Sequence, residues 1–361
     1  MNYVALTVIV VILSASHEKY RYNALKQEKV FLLILICLVL CGFAGLRSSY
    51  NDTKTYIAIF QNTPDSIYSI FHDEFMVGNA YLYKLFNWFL YHFISTDYHV
   101  YFFIASAMFV VPSVFAINKY SETFTYSMFL FMTSGLYLFS LAAIRQSIAI
   151  GILVMAVDAF IEERYKRFIC LVLIATSFHF YAVIVILIMF IKKDQVFGLR
   201  MTAVCLVILL IGLGMTQFSG YFSSIATIMG KEISATEIST GSVSVFRAAV
   251  YIAPVLLVLI SKKAINQDTD KKNNVFVTLS VLSGAFMVLA LFGNPILIGR
   301  LPYYFLIGMV ISLPNVIKHG FNRQSANALS FLAIICYCIY EIHELKLDEA
   351  FSRDIFNLIW F

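Results

Sequence analysis

The clearest shortage in this sequence is charge. Only 13% of its 361 residues are Asp, Glu, Lys or Arg, whereas 60% are hydrophobic and the mean hydropathy is +0.82. This charged share is about half that of a soluble domain, so water is not the main solvent of the chain. Runs without a charged residue include residues 30–44, 126–144, 168–191, 201–214, 250–260 and 275–292. Most of them approach the roughly 20 residues of a membrane-spanning helix.

The sequence also lacks the motifs of several common chemistries. It has no P-loop, no GxSxG and no HExxH, and its six cysteines lie in apolar segments without CxxC spacing. The net charge of +5 is spread over short loops and forms no basic block, which argues against a nucleic-acid partner. We therefore expect no cofactor, no metal site and no nucleic-acid binding.

The apolar runs predict an all-α fold. We expect a polytopic transmembrane bundle of about eleven or twelve membrane helices, which forms a single integral membrane domain over residues 1–361. No linker, change of composition or fixed-period repeat indicates a second domain. Residues 342–361 mix charged and aromatic residues, and this mixture predicts an amphipathic tail on the membrane surface.

The distribution of Lys and Arg predicts the topology. These residues gather in five short stretches, at 19–29, 164–167, 192–193, 262–272 and 318–323. Placing all five in the cytoplasm satisfies the positive-inside rule. The loops at about 47–76 and 218–245 and the tail then lie outside. Residues 77–94 include Lys84 and Asn87 among aromatic residues, and they predict an interfacial or re-entrant helix instead of a span.

The run at residues 168–191 has basic stretches at both of its ends. Both stretches can be cytoplasmic only if the run enters the membrane and returns, which predicts a re-entrant hairpin with its tip near His179. Each arm would have about 12 residues and reach about 18 Å, less than the roughly 30 Å of the hydrocarbon core. The alternative is a single tilted span.

Four arginines fall at the predicted external ends of spans, which is the opposite of the usual trend for basic residues. They are Arg47, Arg145, Arg247 and Arg300. Guanidinium groups bind phosphate oxygens bidentately and stay charged at any relevant pH, so an external cavity lined by several arginines predicts a pyrophosphate ligand. The alternative for each arginine is snorkelling to lipid headgroups or pairing with a carboxylate, as Arg47 would with Asp52.

Two further residues are candidates for acid–base chemistry. His179 lies midway along an apolar run, where a neutral imidazole can act as general base toward a sugar hydroxyl. The alternative is a satisfied core histidine. Asp52 follows Arg47 by five residues and either orients an arginine, serves as a base or is a solvated loop carboxylate.

Four motifs follow one another along most of the chain. They are Gly45-Leu46-Arg47 with Asp52 and Tyr56; Arg145-Gln146 with Ala149; Ser177-Phe178-His179; and Arg300 before Tyr303-Tyr304-Phe305. Their order and shared external placement resemble the EpsG-type branch of the Wzy-like bacterial polysaccharide polymerases, which assemble O-antigens, capsules and exopolysaccharides. One departure is the segment Gly78-Asn79-Ala80-Tyr81, where similar proteins often carry a Glu; here Glu74 precedes it.

The resemblance implies a metal-independent glycosyltransferase at the periplasmic or outer face of the bacterial inner membrane. Its substrates would be undecaprenyl-diphosphate-linked oligosaccharide repeat units, and its partners would include membrane lipid, a chain-length regulator and a flippase. By this resemblance the catalytic residues are His179, Arg145 and Asp52. The residues expected to bind the diphosphate are Arg47, Arg145, Gln146, Arg247, Arg300 and Tyr304.

Two other functions fit a polytopic chain with arginines near its spans. A lipid-linked oligosaccharide flippase or other transporter usually shows internal repeats; none is evident here, and the candidate residues lie on one predicted side. An O-antigen ligase-like glycosyltransferase is the other alternative.

Overall fold

The computed structural model describes residues 3–21, 26–72, 80–190, 196–228, 234–267 and 271–351. Within these ranges every regular element is a helix and none is a strand, which confirms the all-α class. Some predicted features lie outside the described residues, namely Lys192 and Lys193, Glu74, Gly78 and Asn79, and residues 352–361 of the tail.

The chain divides into two compact units, each assembled from separate stretches of sequence. Unit 1 comprises Met1–Lys119, Thr123–Val183 and Glu341–Phe361, and unit 2 comprises Tyr120–Glu122 and Ile184–Tyr340. The boundaries fall beside or within helices and not in a polar linker. The single integral membrane domain over residues 1–361 stays a prediction.

In the part of unit 1 that the structure describes up to Val183, the chain forms ten α-helices and the first part of a long 3₁₀ helix. The helices are α1 (Tyr3–Arg21), α2 (Lys26–Gly45), α3 (Thr53–Gln61), α4 (Ile67–His72), α5 (Tyr81–Phe93), α6 (Tyr98–Tyr120), α7 (Phe124–Thr133), α8 (Leu136–Ala142), α9 (Ile144–Ile161) and α10 (Tyr165–Phe178). The 3₁₀ helix Phe180–Phe190 follows α10. Helix α1 packs on α2 and α7, while α10 packs along α9 and against α5.

Helix α9 is deeply buried, and it approaches α6 at Gly151. A Cβ atom at Gly151 would overlap the backbone of Met108 and Phe109 on α6. Only a glycine allows this close approach, which is a common way for membrane helices to associate. The contact holds the middle of α9 close to the middle of α6.

Two predicted apolar runs are broken by turns. The run 126–144 forms α7 and α8, which are bent by 44° at a turn where Gly135 has the left-handed φ of 83°. The run 168–191 is interrupted at His179, whose backbone is extended with φ −151° and ψ 112°. This break coincides with the predicted tip of the hairpin, but the choice between a hairpin and one span stays a prediction.

Among its described residues, unit 2 contains seven further α-helices and two short 3₁₀ helices. The α-helices are α11 (Leu199–Leu213), α12 (Met215–Ile228), α13 (Ala235–Ser239), α14 (Val245–Gln267), α15 (Lys271–Leu289), α16 (Leu306–Gly320) and α17 (Arg323–Phe351), whose last residues belong to unit 1. The 3₁₀ helices are Ala290–Phe292 and Leu301–Tyr304. Helices α14, α15 and α16 pack on one another.

Five helices among the described residues are long and apolar enough to cross a membrane. They are Tyr98–Tyr120, Ile144–Ile161, Val245–Asn266, Lys272–Phe292 and Arg323–Lys346, and the number rises to seven if each of two bent helix pairs is one span. The polytopic class is confirmed, with fewer long spans than the expected membrane helices because several apolar runs form short or bent helices.

The segments predicted as external contain helices. Helices α3 and α4 lie within residues 47–76, and α13 and all but the first three residues of α12 lie within 218–245. Helix α17 continues past Glu341 into the predicted tail. Helix α5 has 13 residues and is about 20 Å long, too short to cross the hydrocarbon core. Its interfacial position stays a prediction.

Candidate functional site

Arg145 lies in the first turn of α9, among tyrosines from three other helices of unit 1. Its Cζ atom is 5.8 Å from the ring centroid of Tyr83 on α5, and Tyr56 on α3 lies close to its guanidinium. The hydroxyls of Tyr83 and of Tyr101, on α6, are 2.6 Å apart. The side chain of Arg145 is half-buried, so it remains accessible to a ligand.

Arg47 belongs to the same group. Tyr56 and Tyr101 lie close to both guanidinium groups. We name Arg47, Arg145, Tyr56, Tyr83 and Tyr101 the arginine–tyrosine cluster. The helices that carry these residues are separated in sequence, so the cluster is a product of the tertiary fold.

The side chain of Arg47 is fixed by contacts with other residues of unit 1. Its Nη1 donates to the carbonyl oxygen of Ala44 at 2.7 Å, and its Nε donates to the hydroxyl of Thr53 at 3.3 Å. Its Cζ lies 4.0 Å from the ring centroid of Phe102. The side chain is 4% exposed, and burial lowers the pKa of Arg47 to about 10, so it stays charged at neutral pH. The partners described here do not include Asp52, with which pairing was the alternative.

A strained turn separates Arg47 from Asp52. Tyr50 and Asn51 have positive φ values of 113° and 45°, which is uncommon for residues other than glycine. The hydroxyl of Thr53 donates to the carbonyl oxygen of Tyr50 at 2.5 Å and stabilises this turn. Asp52 is half-buried at the start of α3, but its side chain does not cap that helix. Strained backbone of this kind is enriched at functional sites.

His179 occupies the break that ends α10. Its backbone N–H donates to the carbonyl oxygen of Ala175 at 2.9 Å, and its carbonyl oxygen accepts from Ala182 at 2.9 Å. Its ring is half-buried and lies 5.8 Å from the ring of Tyr181. The preceding residue, Phe178, contacts Phe86 of α5 with ring centroids 6.1 Å apart. Through Phe178, the segment next to His179 thus packs against α5, the helix that carries Tyr83.

Arg145 and His179 lie at the same end of a helical hairpin. Helices α9 and α10 are joined by only three residues, 162–164, and pack along each other, so they are antiparallel. Arg145 starts α9, and His179 follows the last residue of α10. The two helices have similar lengths, 18 and 14 residues, which brings these two residues to one level.

The opposite end of the hairpin carries ion pairs. Lys119, at the end of α6, binds Asp158 at 2.7 Å and Glu162 at 2.9 Å, while Arg164 binds Glu162 at 3.3 Å. Hydrogen bonding from Lys119 is the main reason that the pKa of Glu162 is lowered. Because an α-helix rises about 1.5 Å per residue, roughly 20 Å separate Asp158 from Arg145 along α9 and roughly 26 Å separate Glu162 from it.

Arg247 and Arg300 belong to unit 2. Arg247 lies in the first turn of α14, close to Tyr251, whose ring centroid is 6.2 Å from that of Tyr303. Arg300 directly precedes the 3₁₀ helix that contains Tyr303 and the buried Tyr304. Both arginines and Tyr304 thus lie at the same end of the packed helices α14, α15 and α16 of unit 2.

Gln146 follows Arg145 and is 1% exposed, so it lies inside unit 1. Its predicted contact with a diphosphate stays untested by this geometry. Among the residues that the structure describes, no three His, Cys, Asp or Glu side chains are grouped in a way that could hold a metal ion.

Helix α5 has a buried polar face that was not predicted from the sequence. Tyr83, Lys84, Asn87 and Leu90 are all buried on this helix, whereas Tyr81 and Phe89 are exposed. The polar residues of this segment predicted an interfacial or re-entrant helix, and two of them lie in the interior: Lys84 is 7% exposed and Asn87 is 0% exposed. Their helical spacing with Tyr83 was the signal that places them on one face.

Comparison with known proteins gives one result. No curated protein and no solved structure is detectably similar to the chain. A sequence model of the EpsG family matches residues 30–357, a range that includes the arginine–tyrosine cluster, His179, Arg247 and Arg300. Because the match extends over nearly the whole chain, this multi-pass membrane protein belongs to the EpsG family.

Proposed function

We propose that this protein is a polysaccharide polymerase that joins undecaprenyl-diphosphate-linked oligosaccharide repeat units. Membership of the EpsG family suggests a polymerase-type function. The observation that carries the finer proposal is the placement of Arg145 and His179 at one end of the α9–α10 hairpin, beside the arginine–tyrosine cluster. A cationic group for the diphosphate and a base for the hydroxyl are the two parts that this transfer needs.

The charge distribution supports an active site at the outer face of the bacterial inner membrane. Lys119 and Arg164 lie at the end of the hairpin opposite to Arg145 and His179. Residues 164–167 form one of the basic stretches that the positive-inside rule assigns to the cytoplasm. With that end inside, Arg145 and His179 face the periplasm or the cell exterior.

In the proposed reaction, an acceptor hydroxyl oxygen forms a bond to the anomeric carbon of the donor glycan. The bond from that carbon to the diphosphate oxygen breaks, and undecaprenyl diphosphate leaves with the electron pair. His179 accepts the hydroxyl proton. Arg145, with Arg47 behind it, neutralises the charge that develops on the leaving group. Asp52 orients this arrangement or shares the role of base.

We also propose a diphosphate-binding role for the other residues that the sequence predicts to bind this group. Gln146 would contact the diphosphate beside Arg145, and Arg247, Arg300 and Tyr304 would bind diphosphate from unit 2. We propose that the reaction is metal-independent, because guanidinium forks supply the charge neutralisation that a divalent cation would otherwise provide.

The first test uses cells that lack the chromosomal polymerase and carry plasmid-borne variants. Arg145→Ala and His179→Ala should abolish the ladder of long polymer on a gel while single lipid-linked units still reach the outer face. Arg164→Ala, at the opposite end of the hairpin, and His319→Ala, in unit 2, are matched controls that should keep the ladder. Normal ladders from both site variants would refute the proposal, and loss of export would favour a carrier.

The second test addresses orientation. Single cysteines at positions 145 and 179 are introduced into a variant without native cysteines and labelled with a membrane-impermeant maleimide. Labelling of intact spheroplasts is the expected result. Labelling only after the membrane is opened would refute an outward-facing site.

A further inference from the structure

Asn87, in the middle of α5, is a buried polar residue for which the polymerase chemistry above has no use. Its side chain is 0% exposed, and neither its amide nitrogen nor its amide oxygen has a hydrogen-bond partner among the described residues. A buried amide without partners is costly and uncommon in folded proteins. Its retention therefore requires an explanation outside the ligand-free fold.

The position of Asn87 relates it to the arginine–tyrosine cluster. Asn87 lies one helical turn after Tyr83 on the same buried face of α5, and its amide is close to the Tyr83 hydroxyl without making a hydrogen bond of standard geometry. Tyr83 in turn contacts Arg145 and shares a hydrogen bond with Tyr101. Asn87 is thus the next polar group beyond the residues proposed to hold the diphosphate.

The chemistry of this position fits a sugar. An amide offers an acceptor oxygen and two N–H donors, which together match two neighbouring hydroxyls or one acetamido group. The preceding residue, Phe86, has a half-buried aromatic ring whose centroid is 6.4 Å from that of Tyr101, a member of the arginine–tyrosine cluster, and 6.1 Å from that of Phe178. Aromatic faces carry negative charge density that attracts polarised C–H groups such as those of a pyranose ring.

We propose that Asn87 is a specificity-determining residue that hydrogen-bonds the sugar adjacent to the diphosphate of the lipid-linked substrate. The inference rests on the proposed function, because it takes Arg145 as the diphosphate ligand. It adds a neutral polar contact that recognises the glycan, whereas the arginines recognise a group common to all such lipids. Asn87 accordingly discriminates between repeat units without contributing to diphosphate affinity.

The test measures the binding of two probes to purified protein in nanodiscs. One probe is undecaprenyl diphosphate, and the other is the lipid-linked repeat unit isolated from cells that lack the polymerase. The wild-type protein should bind the second probe more tightly. Asn87→Leu should weaken binding of the second probe by about tenfold or more, the effect of losing hydrogen bonds at a buried site, and should leave binding of the first within about twofold.

Thermal stability separates this role from a structural one. Replacing an unsatisfied buried amide with an apolar group of similar volume is neutral or stabilising, so Asn87→Leu should keep or raise the Tm of the ligand-free protein. Asn315→Leu is the matched control: Asn315 is also buried, but it donates to Asn273 at 3.2 Å and accepts from the Glu122 N–H at 3.4 Å. That variant should lose stability and keep both binding constants.

Several outcomes would overturn the proposal. A fall in Tm for Asn87→Leu as large as that for Asn315→Leu would make Asn87 a structural residue. Unchanged binding of both probes would mean that the amide holds only a buried water molecule. Asn87→Ser, which keeps one hydroxyl, should show a smaller loss for the lipid-linked unit, and no loss from either variant would refute the role.

The failure of the proposed function would look different. If the wild-type protein bound neither probe, the diphosphate site at Arg145 would be wrong, and the sugar contact would be refuted with it. If the wild-type protein bound both probes equally, the polymerase proposal would stand and only the role of Asn87 would be refuted.

Discussion

Replacing Arg145 tests the charge contribution of the arginine–tyrosine cluster. A guanidinium about 4 Å from a phosphate charge contributes roughly 4 kcal/mol at the effective dielectric constant of about 20 that suits partly buried groups. This energy corresponds to about a thousandfold in rate. Because Arg145 is half-buried, water screens part of it, and we expect Arg145→Ala to lower kcat by about 10² to 10³-fold.

The assay is polymerisation by purified protein in nanodiscs with the lipid-linked repeat unit, followed as the ladder of products on a gel. Arg145→Lys keeps the charge but loses the planar fork that binds two phosphate oxygens, so its loss should be smaller, about tenfold. Single-turnover measurements distinguish a change in chemistry from a change in product release.

Arg164→Ala is the matched control for this series. Arg164 lies in unit 1 on the same hairpin, its side chain is 59% exposed, and its ion pair with Glu162 is at the surface. Its removal should change kcat by less than about twofold, in keeping with the small contribution of surface ion pairs. Equal effects of Arg145→Ala and Arg164→Ala, or less than a threefold effect of the former, would refute the reasoning.

Three further predictions follow from contacts outside the reacting groups. Arg47→Ala should lower the Tm as well as the activity, because it leaves the Ala44 carbonyl and the Thr53 hydroxyl without their buried donor. A loss of activity at an unchanged Tm would contradict this structural role of Arg47. Gly151→Ala should lower the free energy of unfolding by about 1–3 kcal/mol, because the added methyl group overpacks against α6. Gly42→Ala is the control and should leave this free energy unchanged, because a Cβ at Gly42 meets no atom within 4 Å. Equal changes in the free energy of unfolding for the two variants, measured by chemical denaturation, would exclude the close approach of α9 to α6. Partial burial raises the pKa of Glu122, but hydrogen bonds from Lys318 and His319 outweigh it and leave that pKa lowered. Its stabilisation is therefore present above the ordinary glutamate value of about 4.3 and is lost as the pH falls through the lowered value, so Glu122→Gln should reduce the Tm at pH 7 and not in acid.

The residues that the sequence could identify are those whose chemistry contradicts their surroundings. Arg145 and His179 stand out because an arginine beside a span and a histidine within an apolar run are both expensive. The basic stretches predicted which ends of the helices share a side, and the order of the motifs predicted the family. These inferences need only local composition, so no tertiary contact was required to make them.

Other parts of the site depend on tertiary packing. Tyr83 and Tyr101 are two of many tyrosines in the sequence, and only the packing of α5 and α6 brings their hydroxyls together. Lys84 and Asn87 lie in a segment that was predicted to be interfacial or re-entrant, and only the packing of α5 shows that both are buried. The bend between α7 and α8 depends on the left-handed conformation of Gly135, which the absence of charge in this run does not reveal.

The strained turn at Tyr50 and Asn51 has a consequence for how the site meets a flexible substrate. Holding non-glycine residues in this conformation costs about 1–3 kcal/mol each, and the folding of unit 1 supplies that energy before any lipid arrives. In the proposed polymerase, the backbone between Arg47 and Asp52 is therefore already set before a lipid-linked substrate binds. Unit 1 then loses little conformational entropy in that step, and the substrate loses most of it.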